Sequence, residues 1–130
     1  MAAFLISSTF DPDRNVIVMK ISGNITVSQL VAGYDEIFGH EQFKPNMHAI
    51  WDLTELDLKS FPINEVRKLP GELRKYMTRR GADYKAALVT NRSVDFQLLR
   101  LYTNFLKLIG TNFKIRTFRS KDDAYKWIDE

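Results

Sequence analysis

Hydrophobic and polar positions along the chain follow two periods, which divide it into alternating strands and helices. Short β-branched or continuous apolar runs predict five strands, at 4–9, 16–21, 47–53, 84–90 and 113–118. Apolar residues at helical spacing predict four helices, at 27–38, 62–80, 94–109 and 121–128. The predicted order of elements is therefore ββαβαβαβα.

Capping residues mark where these helices begin and end. Thr26, followed three residues later by Gln29, predicts a capping box, and Gly39 ends the same helix. Ser93 and Ser120 are predicted to cap the third and fourth helices in the same way. Pro70 interrupts the second helical pattern, which is either one helix kinked there or two short helices in line.

The order of elements predicts an α/β fold. A hairpin followed by three strand-helix-strand crossovers gives a mostly parallel five-stranded sheet with one antiparallel edge strand. The middle strands are apolar on both sides, so four helices are expected to pack on the sheet and cover it. The length of 130 residues fits a single domain, 1–130.

Composition excludes several kinds of chemistry. The chain has no cysteine, which rules out disulfides, zinc-thiolate sites and thiol nucleophiles and favours a reducing cytoplasm. No apolar run approaches the roughly 20 residues of a membrane span, and the first residues lack the basic start of a secretory signal. His40 and His48 have no partner at ligand spacing, so no metal site is predicted. Phosphate-binding loops and nucleophile motifs are absent, so no cofactor and no catalytic residue are predicted.

The third strand ends Ile50-Trp51-Asp52-Leu53-Thr54 and, with the element order, resembles the STAS fold of anti-sigma-factor antagonists. It resembles more closely the small SpoIIAA-like single-domain proteins. The stretch from Lys85 to Ile128 follows their pattern at these residues: Lys85-Ala86-Ala87-Leu88-Val89, Arg100, Tyr102, Phe118-Arg119, Ala124 and Trp127. The resemblance covers nearly the whole chain and rests mostly on core positions. It implies a non-enzymatic interaction or ligand-sensing module, with a distant similarity to CRAL-TRIO lipid-transfer domains.

The resemblance also implies a phosphorylation site. In the antagonists, a serine at the start of the second helix is phosphorylated within an Asp-Ser-Ser/Thr-Gly-like segment. The corresponding stretch here, Leu58-Lys59-Ser60-Phe61-Pro62, departs from that pattern and keeps only Ser60. A phosphate on Ser60 would meet the free N–H groups and the positive dipole end of a helix.

Candidate ligand-binding residues lie where the parallel strands end, because ligands of open α/β sheets bind beyond the carboxyl ends of the strands. They are Asp52, Thr54, Asn91 and Ser93. Arg100, in the middle of the predicted long helix, is a further candidate that the family resemblance implies. The structural alternative is that the serines only cap helices, that Asp52 bonds N–H groups of its own loop, and that Arg100 is solvated.

The predicted long helix has an apolar face wider than the usual stripe of about 100°. Leu99 and Leu106 widen this face, and Phe96 lies outside even the widened face. We expect these three residues to contact a second subunit in a homodimer. The alternatives are that these residues pack in the protein's own core or contact an apolar ligand.

Basic residues are concentrated in one segment, since 61–81 contains six basic and two acidic residues while the whole chain has a net charge of +3. Five of them share one outward helix face: Arg67, Lys68, Arg74, Lys75 and Arg79. An anionic membrane surface or an acidic partner could meet this face. A solvated face is the plainer alternative, and no motif favours nucleic acid.

Two functions follow from these observations. The first is a non-enzymatic regulatory or protein-interaction module of STAS-like type. The second is a carrier or sensor of an apolar or anionic small ligand, at an anionic membrane surface. An enzyme acting through Asp52 and Asn91 is the third hypothesis, which no motif supports.

Overall fold

A computed structural model describes residues 4–23, 26–56, 69–74, 76–81, 83–92, 97, 100, 103 and 114–130. Its strands are β1 (Phe4–Asp11), β2 (Val16–Gly23), β3 (His48–Leu56), β4 (Lys85–Val89) and β5 (Lys114–Phe118). Its helices are α1 (Val27–Phe38), α2 (Leu69–Arg74), α3 (Met77–Arg80) and α4 (Lys121–Ile128).

The five strands form one sheet in the order β1-β2-β3-β4-β5. β1 is antiparallel to β2, and β2, β3, β4 and β5 run parallel to one another. The hairpin between β1 and β2 closes through residues 12–15, where Asn15 takes a left-handed φ of 56°, which suits an asparagine. The predicted mostly parallel sheet with one antiparallel edge strand is confirmed.

Each face of the sheet carries its own core. Ile17, Met19, Trp51 and Leu88 point to the face covered by α1, here called the α1 face. On the opposite face, here called the α4 face, the core contains Val16, Ile50, Ala87 and Val89 with Ala124, Trp127 and Ile128 of α4. Ile50 and Ala87 are both 0% exposed, so the middle of the sheet is covered on both sides, as predicted.

The predicted caps of α1 and α4 are present. Gln29 N donates to Thr26 Oγ1 at 3.2 Å while Thr26 N donates to Gln29 Oε1 at 2.9 Å, which completes the capping box. Gly39 is the C-cap of α1. Ser120 Oγ accepts from Asp123 N at 3.2 Å and caps α4. These local signals fix the ends of both helices because each satisfies backbone groups that the helix leaves unpaired.

The helices differ from the prediction in number and order. Only α1 and α4 have eight residues or more among the described helices, and the described order is ββαβααββα rather than ββαβαβαβα. Of the two alternatives for the second helical pattern, the structure has the two short helices α2 and α3. They are separated after Arg74 rather than at Pro70, which lies in the first turn of α2. A proline fits there because the first turn needs no N–H donor.

The helix predicted between β4 and β5 lies mostly outside the described residues, among which Gln97, Arg100 and Thr103 are helical.

Two buried side chains tie α2 and α3 to the rest of the fold. Tyr76 donates its hydroxyl to Asp35 of α1 at 2.7 Å, and burial together with this bond raises the pKa of Tyr76 to about 12. Arg80, the sixth basic residue of segment 61–81, is buried with its guanidinium over the rings of Phe38 and Tyr84, at 4.9 and 4.2 Å. One positive charge of the basic segment therefore belongs to the interior.

Candidate functional site

The site begins with a bulge in β3. Lys20 of β2 pairs with Asp52 of β3, but two residues later Ser22 pairs with Glu55, so β3 contains one extra residue. The strand predicted at 47–53 continues in the structure past the bulge to Leu56. Leu53 and Leu56 therefore point into the same core although they are three residues apart.

The bulge also brings two polar groups of the strand together. Asp52 is 4% exposed, and its Oδ1 accepts from Thr54 N at 3.1 Å and from Thr54 Oγ1 at 2.7 Å. Its Oδ2 pairs with Lys121 Nζ, 3.3 Å away, at the start of α4. Asp52 thus satisfies its own strand, as the structural alternative predicted, and in addition fastens α4 to β3.

These contacts decide the charge of Asp52. Burial acts to raise its pKa, but the hydrogen bonds from Thr54 and the Lys121 ammonium outweigh burial, so the pKa of Asp52 lies below its usual value. The carboxylate is therefore ionised at neutral pH. A general acid or base needs a pKa near the working pH, and the lowered pKa of Asp52 lies further from neutral pH than that of an ordinary aspartate.

Asp52 belongs to a row of four charged side chains on the α4 face. Glu55, Lys20, Asp52 and Lys121 alternate in sign, and we call them the charged row. Lys20 Nζ lies 3.0 Å from Glu55 Oε2, and this hydrogen bond and charge raise the pKa of Lys20, with a further contribution from Asp52. About half of the side chains of Lys20, Glu55 and Lys121 is exposed, so the row presents alternating charge to solvent.

The sequence pattern did not predict three members of the charged row, Lys20, Glu55 and Lys121. An unbroken strand would place Glu55 on the same face as Leu53, and only the bulge turns it toward Lys20. Lys121 did carry a signal, because a cation in the first turn of a helix opposes the helix dipole. A lysine there indicates a nearby anion, which the fold supplies as Asp52.

The structure brings some of the predicted ligand-binding residues to the carboxyl ends of the strands. Asp52 and Thr54 touch, and Asn91 is exposed just beyond β4. The neighbouring Arg92 donates to Leu56 O at 3.2 Å and so joins the ends of β3 and β4.

Arg100 is exposed on its helical turn, as the solvated alternative predicted, and its carbonyl accepts from Thr103 Oγ1 at 2.8 Å. Ser93 lies outside the described residues. The ligand-binding role of the five residues stays a prediction.

Several other predicted residues also lie outside the described part of the chain: Ser60, Arg67, Lys68, Lys75, Phe96, Leu99 and Leu106. Of the basic helix face, Arg74 and Arg79 are described, and both are exposed. The phosphorylation site, the dimer contact through the long helix and the anionic-surface contact therefore stay predictions. The same holds for the carrier of an apolar or anionic ligand, which depends on those residues.

The described residues hold no cluster that could bind a metal ion and no helix that could cross a membrane. Within those ranges, no three histidine or carboxylate side chains lie together in a way that could hold a metal ion. None of the described helices has the length and apolar character that crossing a bilayer requires.

One solved structure places this architecture among known folds. It is the crystal structure of an uncharacterised protein of the DUF3478 family with a SpoIIAA-like fold, from Shewanella loihica PV-4. The two structures agree with a TM-score of 0.63, at 18% sequence identity, over 98% of this chain and 95% of that chain. The fold is SpoIIAA-like. No family model matches the sequence, and no curated protein does.

The SpoIIAA-like fold confirms the resemblance found in the sequence, at the level of architecture. Both the bulge after Asp52 and the charged row stand at the carboxyl ends of the parallel strands, where open α/β sheets bind their ligands. The candidate functional site is therefore this end of the α4 face.

Proposed function

We propose that this protein is a non-enzymatic regulatory module of STAS-like type that acts in the cytoplasm by binding another protein. The observation that carries the proposal is the state of Asp52. Both of its carboxylate oxygens are held by Thr54 and Lys121, and its lowered pKa makes it a fixed anion. Such a carboxylate organises a surface rather than transferring protons. The SpoIIAA-like fold supports the same function.

The charged row supplies the binding surface. Surface ion pairs such as Lys20–Glu55 contribute little to stability because water and salt screen them. Alternating charges at an interface instead select a partner with the opposite pattern and penalise a wrong one. Asp52 holds Lys121 in place, so the row is fixed before a partner arrives.

Charge reversal tests this surface. The tagged 130-residue chain and the tagged double variant Lys20→Glu, Lys121→Glu are each used to capture binding partners from a lysate of the source organism. A captured protein is then purified and titrated against both forms. We expect the affinity of the double variant to fall at least about tenfold, because two attractive contacts become repulsive.

Lys44→Glu provides the matched control. Lys44 is exposed in the loop before β3, at the opposite end of the sheet from the charged row. Its reversal should change the affinity by less than about twofold, since rim charges far from an interface are screened. Equal losses in both variants, or no binding between the purified proteins, would contradict the proposal. So would a catalytic activity that Asp52→Asn abolishes while the fold is intact.

A further inference from the structure

The two edges of the sheet are built differently. β1 is eight residues long, pairs with β2 along its whole length without a bulge, and has neither charge nor proline from Phe4 to Phe10. β5 is five residues long and carries the exposed Lys114 and Arg116. Natural proteins shorten or charge their edge strands to prevent them from pairing with other chains. β5 follows this rule and β1 does not.

The middle of β1 is exposed on both faces of the sheet. Ser7 and Thr9 lie on the α4 face, opposite Lys20 and Val18, while Ser8 lies on the α1 face, opposite Met19. All three are exposed. In the described part of the chain, no strand pairs with the outer side of β1, so half of its backbone N–H and C=O groups point outward.

The two ends of this segment are anchored. Ile6 packs so closely under α1 that a Cβ on Gly33 would lie 2.6 Å from Ile6 Cδ1. The ring of Phe10 stacks on His40, with 4.8 Å between centroids. β1 is therefore held in an extended conformation before any partner arrives, which lowers the entropy cost of pairing.

We propose that β1 pairs antiparallel with β1 of a second copy of the chain, so that two sheets of five strands join into one of ten. A two-fold axis at Ser8 sets Ser8 opposite Ser8, Ile6 opposite Phe10 and Ser7 opposite Thr9. Every one of these pairs is uncharged, and the Ile6–Phe10 pairs extend the apolar α1 face across the junction.

Charge distinguishes this pairing from the alternative at the other edge. Antiparallel pairing of β5 with itself would bring Lys114 and Arg116 of the two copies against like charges, which destabilises a sheet. In the β1 pair, the two Asp11 side chains lie at opposite ends of the junction. The β1 edge therefore matches a second β1, and the β5 edge repels a second β5.

Cysteine cross-linking tests the junction directly, because the chain has no cysteine of its own. Residues directly opposite in an antiparallel pair have Cα atoms about 4.5–5.5 Å apart, within reach of a disulfide. Ser8→Cys should therefore form a disulfide-linked dimer under mild oxidation. Ser28→Cys, at an exposed position of α1, is the matched control and should stay at background.

The cross-link also reports the register. A shift by one pair would move self-cross-linking from Ser8→Cys to Ser7→Cys, and either result supports the β1 junction. Failure of both variants to exceed the Ser28→Cys control would overturn the proposal.

A charge swap keeps the test independent of folding defects. The weight-average mass of the native chain should rise from 15.1 kDa toward twice that value as concentration approaches roughly 1 mM, as expected for a small interface. Ser8→Lys and Ser8→Glu should each dimerise at least about tenfold more weakly, and an equimolar mixture should restore the dimer.

Two outcomes of this experiment would overturn the β1 junction. One is a native mass that stays at 15.1 kDa over the whole range. The other is a dimer that Ser8→Lys leaves as stable as the native one, since that dimer would use a different surface.

Discussion

The amino ends of β3 and β4 are closed by backbone and amide hydrogen bonds, whereas their carboxyl ends carry charged side chains that reach solvent. At the amino ends, Asn46 donates its N–H to Arg80 O at 2.6 Å, and its side-chain oxygen accepts from Asp83 N at 2.9 Å. Next to it, His48 Nδ1 accepts from Lys85 N at 2.9 Å. At the carboxyl ends, the charged row stands on a bulge.

The contrast separates stability from recognition. The amino end depends on backbone geometry that few residues can adopt, such as the φ of +93° at Gly81 and of 67° at Asn46. The carboxyl end depends on the Asp52 hydrogen bonds, while Lys20 and Glu55 form a half-exposed ion pair. We therefore expect substitutions at the amino end to destabilise most, and those in the exposed part of the charged row to alter binding.

Gly81→Ala should have the largest effect. A Cβ at this position would lie 2.2 Å from Asn46 Oδ1 and 2.8 Å from Asn46 N, at a φ that side chains rarely adopt. We expect the free energy of unfolding to fall by about 3 kcal/mol, measured by denaturant titration. Gly71→Ala is the control, since no atom of the described residues lies within 4 Å of a Cβ added there, and it should be neutral or stabilising by up to about 1 kcal/mol. Equal effects at both glycines would show that the backbone conformation of Gly81 does not limit stability at the amino end.

Asp52→Ala should have the next largest effect, about 2 kcal/mol, because Thr54 and Lys121 lose a charged acceptor. Glu55→Gln, which removes only the exposed pair with Lys20, should leave the free energy of unfolding nearly unchanged. The folded-state pKa of Asp52 is lowered, so its stabilisation is complete above the ordinary value of 3.8 and is lost as the pH falls through the folded value. Unfolding free energies of the native and Asp52→Ala chains should therefore converge in acid, and a constant difference would disprove the ionised state.

Thr90→Val should change stability in the opposite direction. Thr90 is 0% exposed at the end of β4, and its hydroxyl has no hydrogen-bond partner among the described residues. Replacing a buried, unsatisfied hydroxyl by a methyl group of similar size should stabilise the protein by about 1 kcal/mol. The measurement is the midpoint of denaturant unfolding, with Thr90→Ser as the comparison that keeps the hydroxyl. A loss of stability in Thr90→Val would mean that the hydroxyl is bonded.

His48→Gln should have the smallest effect, which appears only in the dependence on pH. Burial, together with the Lys85 ammonium, lowers the pKa of His48 below 6.5. As the pH falls below 6.5, the unfolded chain takes up the proton more readily than the folded chain, so the free energy of unfolding decreases. Glutamine can accept from Lys85 N without titrating, so the variant should lose part of this slope between about pH 6.5 and 5. An unchanged slope in His48→Gln would exclude His48 as its source.

Local patterns predicted most of the architecture because they depend on neighbouring residues alone. The capping box of Thr26 and Gln29, the end of α1 at Gly39 and the apolar middle strands around Ile50 and Ala87 are all confirmed. The extent of the second helix was predicted least well. The apolar spacing continues through 69–80, whereas the structure has two helices, Leu69–Arg74 and Met77–Arg80. Helical period and helical continuity are different properties, and sequence spacing reports only the first.

The candidate site was predicted in part for the same reason. Asp52 and Thr54 stand at the end of an apolar strand, which the sequence shows directly, but the partners of Asp52 come from other elements. Lys121 lies 69 positions along the chain, and Glu55 reaches its face only through a bulge that local spacing does not reveal. Pairing between distant segments depends on the register of the sheet, which is a property of the whole fold.

The amino-acid sequence by itself determined the α/β class, the antiparallel edge, the helix ends that carry caps, and the absence of thiol chemistry in a chain without cysteine. These follow from periodicity, capping and composition, each of which acts over a few residues or over the chain as a whole. Only the tertiary structure decided that Asp52 is a fixed anion and that Arg80 is buried against two aromatic rings. Each of these depends on which groups meet across the sheet, because burial and charge act between residues that are close in space and distant in sequence.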